Sequence, residues 1–502
     1  MADAGVTALL QEALALHQAE KLEEAGARYH AVLARVPRQF DALHLLGVVR
    51  RQQGDAQEAV RLIGQALAVN PDQATAHCNL GAALQDLGRS GEALASFEAA
   101  LGRNANYPLA WSNRGNALRK LGRLPEAVDS YERALALRPN YPEAWCNRAI
   151  ALLDLGEARA ALESCERALR EKRAYPEAAC VRANALFQLR EFDAALRGYD
   201  EAIALDARSP AAHTGRALAL LKLGRPQDAL SSFDAAVALR PAHAHSQRQR
   251  GDALLALGRR DEAIAAYTRA RTVAHAAGED ASQIEFALAA LGVGAAPERA
   301  PEVYVKALFD QYAGHFDQHL TGVLGYRTPA LIDAAIRRHV DHSDLAVVDL
   351  GCGTGLCAPF LRQLARSLAG VDLSANMLAQ ARATGLYDDL ACADIGAWLA
   401  PQTAAFDLAV AADVLVYFGD LDELFAAVRQ ALRPGGWFCF STEAGEGAGY
   451  TLLPSNRYAH ALAYLEQLAG RHGFTVLEAE RAAVRSENGA DVEGHVLVLQ
   501  AH

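Results

Sequence analysis

Residues 108–141 read PLAWSNRGNALRKLGRLPEAVDSYERALALRPNY, and residues 142–175 read PEAWCNRAIALLDLGEARAALESCERALREKRAY. Laid one over the other, the two segments agree at their apolar, small and turn positions. The same register extends both ways, giving 34-residue units that begin at residues 6, 40, 74, 108, 142, 176, 210 and 244 with no insertion. Self-similarity at a fixed period of this size marks a stacked repeat architecture. The twentieth position is alanine in every unit, from Ala25 and Ala59 to Ala229 and Ala263, and the eighth is always small, as in Gly47, Gly81, Gly115, Ala149, Ala183 and Gly251. Small residues at these places let two antiparallel helices approach closely. The large residue at position 24 (Tyr29, Phe97, Tyr131, Tyr199, Phe233, Tyr267) is expected to fill the gap between neighbouring units. Glycine at position 15 ends the first helix, and a proline often follows the second, so each unit reads as a helix hairpin.

These positions resemble the tetratricopeptide repeat over about residues 6–277. The resemblance implies an all-α superhelical solenoid whose concave face, lined by the first helices, takes an extended protein or peptide partner. Asn79, Asn113 and Asn147 occupy position 6 of three successive units and are the partner-binding candidates. That ladder is similar to one in the repeats of O-GlcNAc transferase, where asparagines hold the backbone of a threaded polypeptide; asparagine there can equally satisfy neighbouring backbone groups. Arg114, Arg148, Arg182, Arg216 and Arg250 stand one residue further on and are expected to lay their stems over an inter-helix seam. The period ends near residue 278. A helix from Ser282 to Leu291 is expected to cap the last repeat, and GVGAAPERAP (292–301) has the makeup of a flexible linker. The expected division is repeats over 1–280, cap and linker over 281–300, and a second domain over 301–502.

From residue 345 short apolar strands alternate with helical stretches, which implies a mostly parallel, doubly wound α/β sheet of Rossmann-like type. The strand candidates are Leu345–Leu350, Ser367–Leu373, Phe406–Ala412, Gly436–Phe440, Phe474–Ala479 and His495–Gln500. Ligands of such sheets bind at the carboxyl ends of the central strands. After the first strand comes DLGCGTG (349–355), whose glycines allow close approach of backbone N–H groups to a ligand. A dinucleotide loop would want glycine at 356, where Leu356 stands, so NAD and FAD are disfavoured.

Asp349, Gly351, Gly353 and Gly355 instead look like motif I of class I S-adenosylmethionine-dependent methyltransferases, and three further features follow in that family's order. The resemblance implies S-adenosylmethionine as cofactor. Its ribose hydroxyls would lie on Asp372, its adenine amino group on Asp394 and its adenine ring on Ile395, and the reactive methyl would lie near Asp413 at the end of FDLAVAADVLVYF. The stretch LFDQYAGHFDQHLTGVLGYRTPALI (308–332) resembles the helical lead-in of small-molecule methyltransferases, whose aromatic residues close over the cofactor. Tyr312 and Arg327 are the candidates there, with Tyr326 beside them; Phe316 and Leu320, four apart, read as the buried stripe of a helix. Repeats followed by this domain resemble bacterial methyltransferases containing tetratricopeptide repeats, over essentially the whole chain.

Methyl transfer asks for alignment, exclusion of water, and a base where the acceptor must lose a proton. His460 and Glu443 are the candidate bases, with Asp413 nearby, in or beside an expected acceptor lid over Gly445 to His460. Ala411-Ala-Asp413-Val stands where adenine methyltransferases carry an N-P-P-Y type tetrad, and the Pro-Cys pair of cytosine-5 enzymes and the paired-glutamate loop of arginine methyltransferases are absent.

Composition bounds these readings. With 502 residues, 51% hydrophobic and 22% charged, the chain can bury more than one core. Residues 301–502 hold 24 acidic and 13 basic residues and carry the whole net charge of −11, while residues 1–300 are neutral. Neither half has the basic face of a nucleic-acid binder or a polybasic run for anionic lipid. Eight scattered cysteines without a C-x-x-C pair argue against structural zinc and disulfides, and no apolar run or basic leader points to a membrane, so a cytoplasmic location is expected. Three functions fit: a methyltransferase whose repeats recruit a protein partner or substrate, a small-molecule methyltransferase with the repeats as scaffold, and a non-catalytic adaptor with a vestigial methyltransferase fold.

Overall fold

In the computed structural model, which describes residues 2–312, 325–487 and 490–502, each 34-residue unit is a pair of antiparallel helices. The fourth unit pairs Pro108–Lys120 with Leu124–Leu137, and the fifth pairs Pro142–Asp154 with Ala158–Glu171. The eighth residue of a unit faces the twenty-fourth of the same unit. A Cβ added to Gly81 would stand 2.6 Å from Phe97, one on Gly115 2.6 Å from Tyr131, and one on Gly251 2.6 Å from Tyr267. The large residue therefore packs its own hairpin, where it was expected to fill the gap between neighbouring units. Tyr199 does reach the next unit as well, since a Cβ on Gly215 would meet it at 2.3 Å. The turn after the first helix is left-handed: Gly88, Gly122 and Gly156 have φ of 72°, 75° and 82°, and Arg190 is forced to 64° at the same place.

The seventh-position arginines are structural, as their stems suggested. Arg114 donates to Ser130 Oγ at 2.7 Å and to Glu98 at 3.0 Å; Arg148 donates to Ser164 Oγ and Glu132, both at 2.7 Å. Arg114 and Arg148 thus each join a serine of their own hairpin to an acid of the preceding one, whereas Arg182 pairs with Glu201 of its own hairpin.

By contacts the chain divides into Met1–Pro241 and Ala242–His502. The second unit contains the eighth helix pair, Ala244–Ala256 and Arg260–Ala277, then the helix Ser282–Ala290 and the sheet. Ser282–Ala290 packs on Arg260–Ala277, as a cap should, but its Phe286, Ala289 and Ala290 share a core with Ala300, Val305, Val416, Tyr417 and Tyr458. The period of the sequence reports helix pairing and is silent on which neighbour a terminal helix buries itself against.

Among the described residues the strands are β1 (Leu345–Leu350), β2 (Ala365–Asp372), β3 (Asp389–Cys392), β4 (Phe406–Ala411), β5 (Leu432–Ala444), β6 (Tyr450–Leu452), β7 (Tyr458–His460), β8 (Phe474–Glu487) and β9 (Ala490–Ala501). Their order is β3-β2-β1-β4-β5-β7-β6, with β9 pairing β5 and β8. Pairs along β3-β2-β1-β4-β5-β7 are parallel; β9 runs antiparallel to β5 and β8, and β6 antiparallel to β7. All six residues of β1 are buried, because helices cover both faces. Val347 joins Ile332, Ile336 and Leu361 on one face, while Val348 and Leu350 join Phe425, Phe438 and Phe440 on the other. Among the described residues no helix is long and apolar enough to cross a membrane.

Candidate functional site

A pocket of about 1080 Å³, open mouth included, lies at the carboxyl ends of β1, β2 and β4. The loop after β1 is tied to β2: Gly351 N and Cys352 N both donate to Val371 O, at 2.8 and 3.1 Å. Gly351, Gly353 and Gly355 have φ of 69°, 54° and 92°, a region that favours glycine, and a Cβ on Gly351 would stand 2.3 Å from Val414. Asp372 at the end of β2 accepts Gly353 N on Oδ2 at 2.9 Å and Ser374 N on Oδ1 at 2.8 Å. Burial nonetheless raises its carboxyl above the ordinary value. Asp349, 1% exposed, accepts the Tyr387 hydroxyl at 2.6 Å, and burial pushes it up to about 7. Neither acid has an ion-pair partner among the described residues.

Asp394 does two jobs. Its Oδ1 accepts Ala397 N at 3.0 Å and caps the short helix Ile395–Leu399, while its Oδ2 meets Arg299 at 3.1 Å. Ile395 lines the pocket beside it. Arg299 belongs to the segment read as a flexible linker, and there the structure differs. Ala300 N donates to Tyr417 O at 2.8 Å, Gly419 N to Glu298 O at 2.7 Å, and the Tyr458 hydroxyl to Pro297 O at 2.6 Å. Proline and alanine suit a pinned strap as well as a loose joint, so composition could not separate the two.

Asp413 lines the far end of the pocket with a left-handed φ of 58°, its N donating to Ser441 Oγ at 2.9 Å. The other two base candidates do not reach the pocket. Glu443 is 4% exposed, bonded to Arg485 and 3.5 Å from Arg457. His460 is fully buried in β7, bonded to Gly419 O at 3.1 Å and stacked on Tyr464, and burial lowers it to about 4. The expected lid over 445–460 contains the β6–β7 hairpin, with β7 added to the sheet beside β5. Arg327 is also outside the pocket: its side chain is exposed, 3.9 Å from Asp491, while the neighbouring Tyr326 does line the wall. The side chain of Tyr312, and Phe316 and Leu320, lie outside the described residues.

In the array, Asn79 bonds His44 Nε2 at 2.9 Å and Asn113 Nδ2 stands 3.9 Å from Cys78 Sγ, each partner on the first helix of the preceding unit. Asn147 is half-buried at the equivalent place. Sequence reasoning missed Tyr387, Arg299, Arg457 and Arg485. Only Arg457 carried any signal, as a cation inside the stretch expected to meet the acceptor.

Comparison with known proteins finds both kinds of domain. A methyltransferase domain model matches residues 348–440; tetratricopeptide repeat models match 10–63, 44–110, 142–175, 180–244 and 214–282, and a TPR repeat model matches 115–156. A malonyl-[acyl-carrier protein] O-methyltransferase of Enterobacter lignolyticus is 32% identical over 155 residues, covering 31% of this chain and 57% of that protein. A ubiquinone biosynthesis O-methyltransferase of Chromobacterium violaceum is 28% identical over 121 residues, covering 23% of this chain and 52% of its own length. The chain thus spans little more than half the length of these relatives. Among solved structures, a tetratricopeptide repeat protein from Parabacteroides merdae covers 50% of this chain and 97% of its own, at 20% identity and a TM-score of 0.43.

Proposed function

For a chain that carries tetratricopeptide repeats ahead of a methyltransferase domain, we propose that the second unit transfers a methyl group from S-adenosylmethionine to an acceptor oxygen, and that the array recruits a protein or peptide partner or substrate. The observation that carries the first half is a pair of desolvated acids, Asp349 buried and Asp372 half-buried. Asp349 and Asp372 face the pocket from the ends of adjacent strands, desolvated and with no ion-pair partner among the described residues. Buried carboxylates of this kind are costly unless a ligand completes them. A cofactor with an ammonium, a sulfonium and a ribose diol supplies the cations and hydroxyl donors that this pair lacks. When bound, it provides an electrophilic methyl carbon. The chain's own part is to fix Asp372 through Gly353 N and Ser374 N, to present the glycine loop without side chains, and to exclude water with Val305, Phe309, Ile395 and Tyr417. That the relatives are O-methyltransferases supports oxygen as the acceptor atom.

The recruiting role rests on the repeat family. The bonds that Asn79 and Asn113 make to the preceding unit favour a second reading, in which these asparagines brace the array and the repeats are a scaffold. Labelled S-adenosylmethionine, incubated with cell extract separated into protein and small-metabolite fractions, tests both. Label in protein, reduced when Asn79, Asn113 and Asn147 are changed to alanine, supports recruitment. Label confined to small metabolites supports the scaffold, and no label in either contradicts methyl transfer.

A further inference from the structure

Among the described residues the far end of the pocket holds a cation with a hydrogen bond to give. Arg457, in the turn between β6 and β7, lines the wall with Tyr326, Asp413 and Tyr417. Its Nη1 lies 3.8 Å from Asp413 and 3.5 Å from Glu443, yet this buried nitrogen makes no hydrogen bond among the described residues. Both acids are already engaged by Arg485, 1% exposed, which bonds Glu443 and stands 3.5 Å from Asp413. Arg457 is thus balanced in charge by shared carboxylates while its Nη1 donor stays unspent.

The remaining polar groups at this end keep their protons. Burial, helped by Asp413, holds the Tyr326 hydroxyl far above its ordinary value, and burial pushes Tyr417 up to about 12. His460 faces Gly419 O and Glu443 is held by two arginines, so neither can serve as a base here. The described residues therefore give this end donors and a cation, with Asp413, the acid beside Arg457, flanked by both guanidinium groups. Such a set is poorly made for an alcohol or a protonated amine, whose methylation must shed a proton. It suits an acceptor that arrives already anionic.

We propose that the acceptor is a carboxylate anchored by Arg457 and that the product is a methyl ester. The inference rests on the methyltransferase reading above. Arg457 Nη1 holds one carboxylate oxygen, and the other oxygen attacks the methyl carbon with its own electron pair. The O–CH3 bond forms as the S–CH3 bond breaks, and the pair of the broken bond stays on sulfur, turning the sulfonium into a thioether. One negative and one positive charge disappear together, and no proton is released.

The test uses the full chain, S-adenosylmethionine with a tritiated methyl group, and the protein and small-metabolite fractions of a cell extract. Base treatment frees methanol from methyl esters and leaves ethers and methylated amines intact. The expected result is label that becomes volatile in base, formed at least about tenfold more slowly by Arg457→Gln. The loss should be recovered in part by more acceptor fraction, and Arg457→Lys should lie between. Calorimetry should find cofactor affinity of both variants unchanged, which shows that the site is folded. Base-stable label, or base-labile label formed equally fast by Arg457→Gln, would overturn the proposal while leaving methyl transfer intact. Failure of the wild-type chain to bind S-adenosylmethionine would overturn both.

Discussion

In the repeat array the buried contacts join residues a fixed interval apart, whereas the pocket gathers its groups from across more than 150 residues. Gly115 meets Tyr131 and Gly81 meets Phe97, each sixteen residues on, and the arginines reach serines at the same interval. The pocket takes Arg299 from a strap, Asp349 and Asp372 from two strand ends, and Arg457 from a hairpin turn. The array thus distributes its stability over many equivalent local pairs, while the pocket concentrates uncompensated charge at one place. Substitutions should accordingly produce modest, additive losses in the first and large functional losses in the second.

The largest effect is expected at the loop after β1. Gly351→Val must combine a strained left-handed backbone with an added Cβ 2.3 Å from Val414, each costing about 1–3 kcal/mol. S-adenosylmethionine binding by calorimetry should fall by about a hundredfold or more, with array helicity unchanged by circular dichroism. If the array melts too, the two regions are not separate in the sense argued.

In the array, Gly115→Val drives a branched side chain into Tyr131 and should cost about 1–3 kcal/mol locally. Hydrogen exchange should show faster opening of Pro108–Lys120 and Leu124–Leu137, with cofactor affinity unaltered. A change in affinity would show long-range coupling that the local contacts do not provide.

The pocket should also report pH where the array does not. Burial pushes Asp349 up to about 7, and a bound cation favours its ionised form. Below that value binding must expel a proton, so affinity for S-adenosylmethionine should fall by up to about tenfold per pH unit on going down, and level off above. Asp349→Asn should flatten the profile; a wild-type affinity constant from pH 6 to 8 would show that Asp349 does not face the cation.

The smallest effect is a gain. Arg190 adopts φ of 64° where other units have glycine, so Arg190→Gly should stabilise the array by about 0.5–1 kcal/mol once the added freedom of the unfolded chain is counted. A loss on chemical denaturation would mean that the arginine side chain contributes more than its backbone costs.

The same contrast decides what the sequence could reveal. The helix hairpins and β1, β2, β4 and β5 were legible because pattern and partner lie within one local stretch. Asp372, Asp394 and the glycine loop were legible because each follows a strand, and strand ends in a parallel sheet converge. β3 has four residues and β6 and β7 three each, too short for alternation to register. That brevity also hid the placement of His460, which pairing with β5 carries into the core away from the pocket. The long polar ends of β8 and β9 pair chiefly with each other and lack the apolar alternation that marks a strand. Arg485 reaches Asp413 across 72 residues and Tyr387 reaches Asp349 across 38, while Arg457 meets both Asp413 and the nearer Glu443, and only the closed sheet brings these groups together.

The most direct test of the central claim is calorimetric titration of S-adenosylmethionine into the full chain and into Asp372→Ala. The wild-type chain should bind, and the variant, with two ribose hydroxyls deprived of their acceptor and the Gly353 amide unpaired, should lose about 1.5–3 kcal/mol of affinity with its fold intact. No binding by the wild type, or equal binding by the variant, would contradict the placement of the cofactor at the ends of β1 and β2.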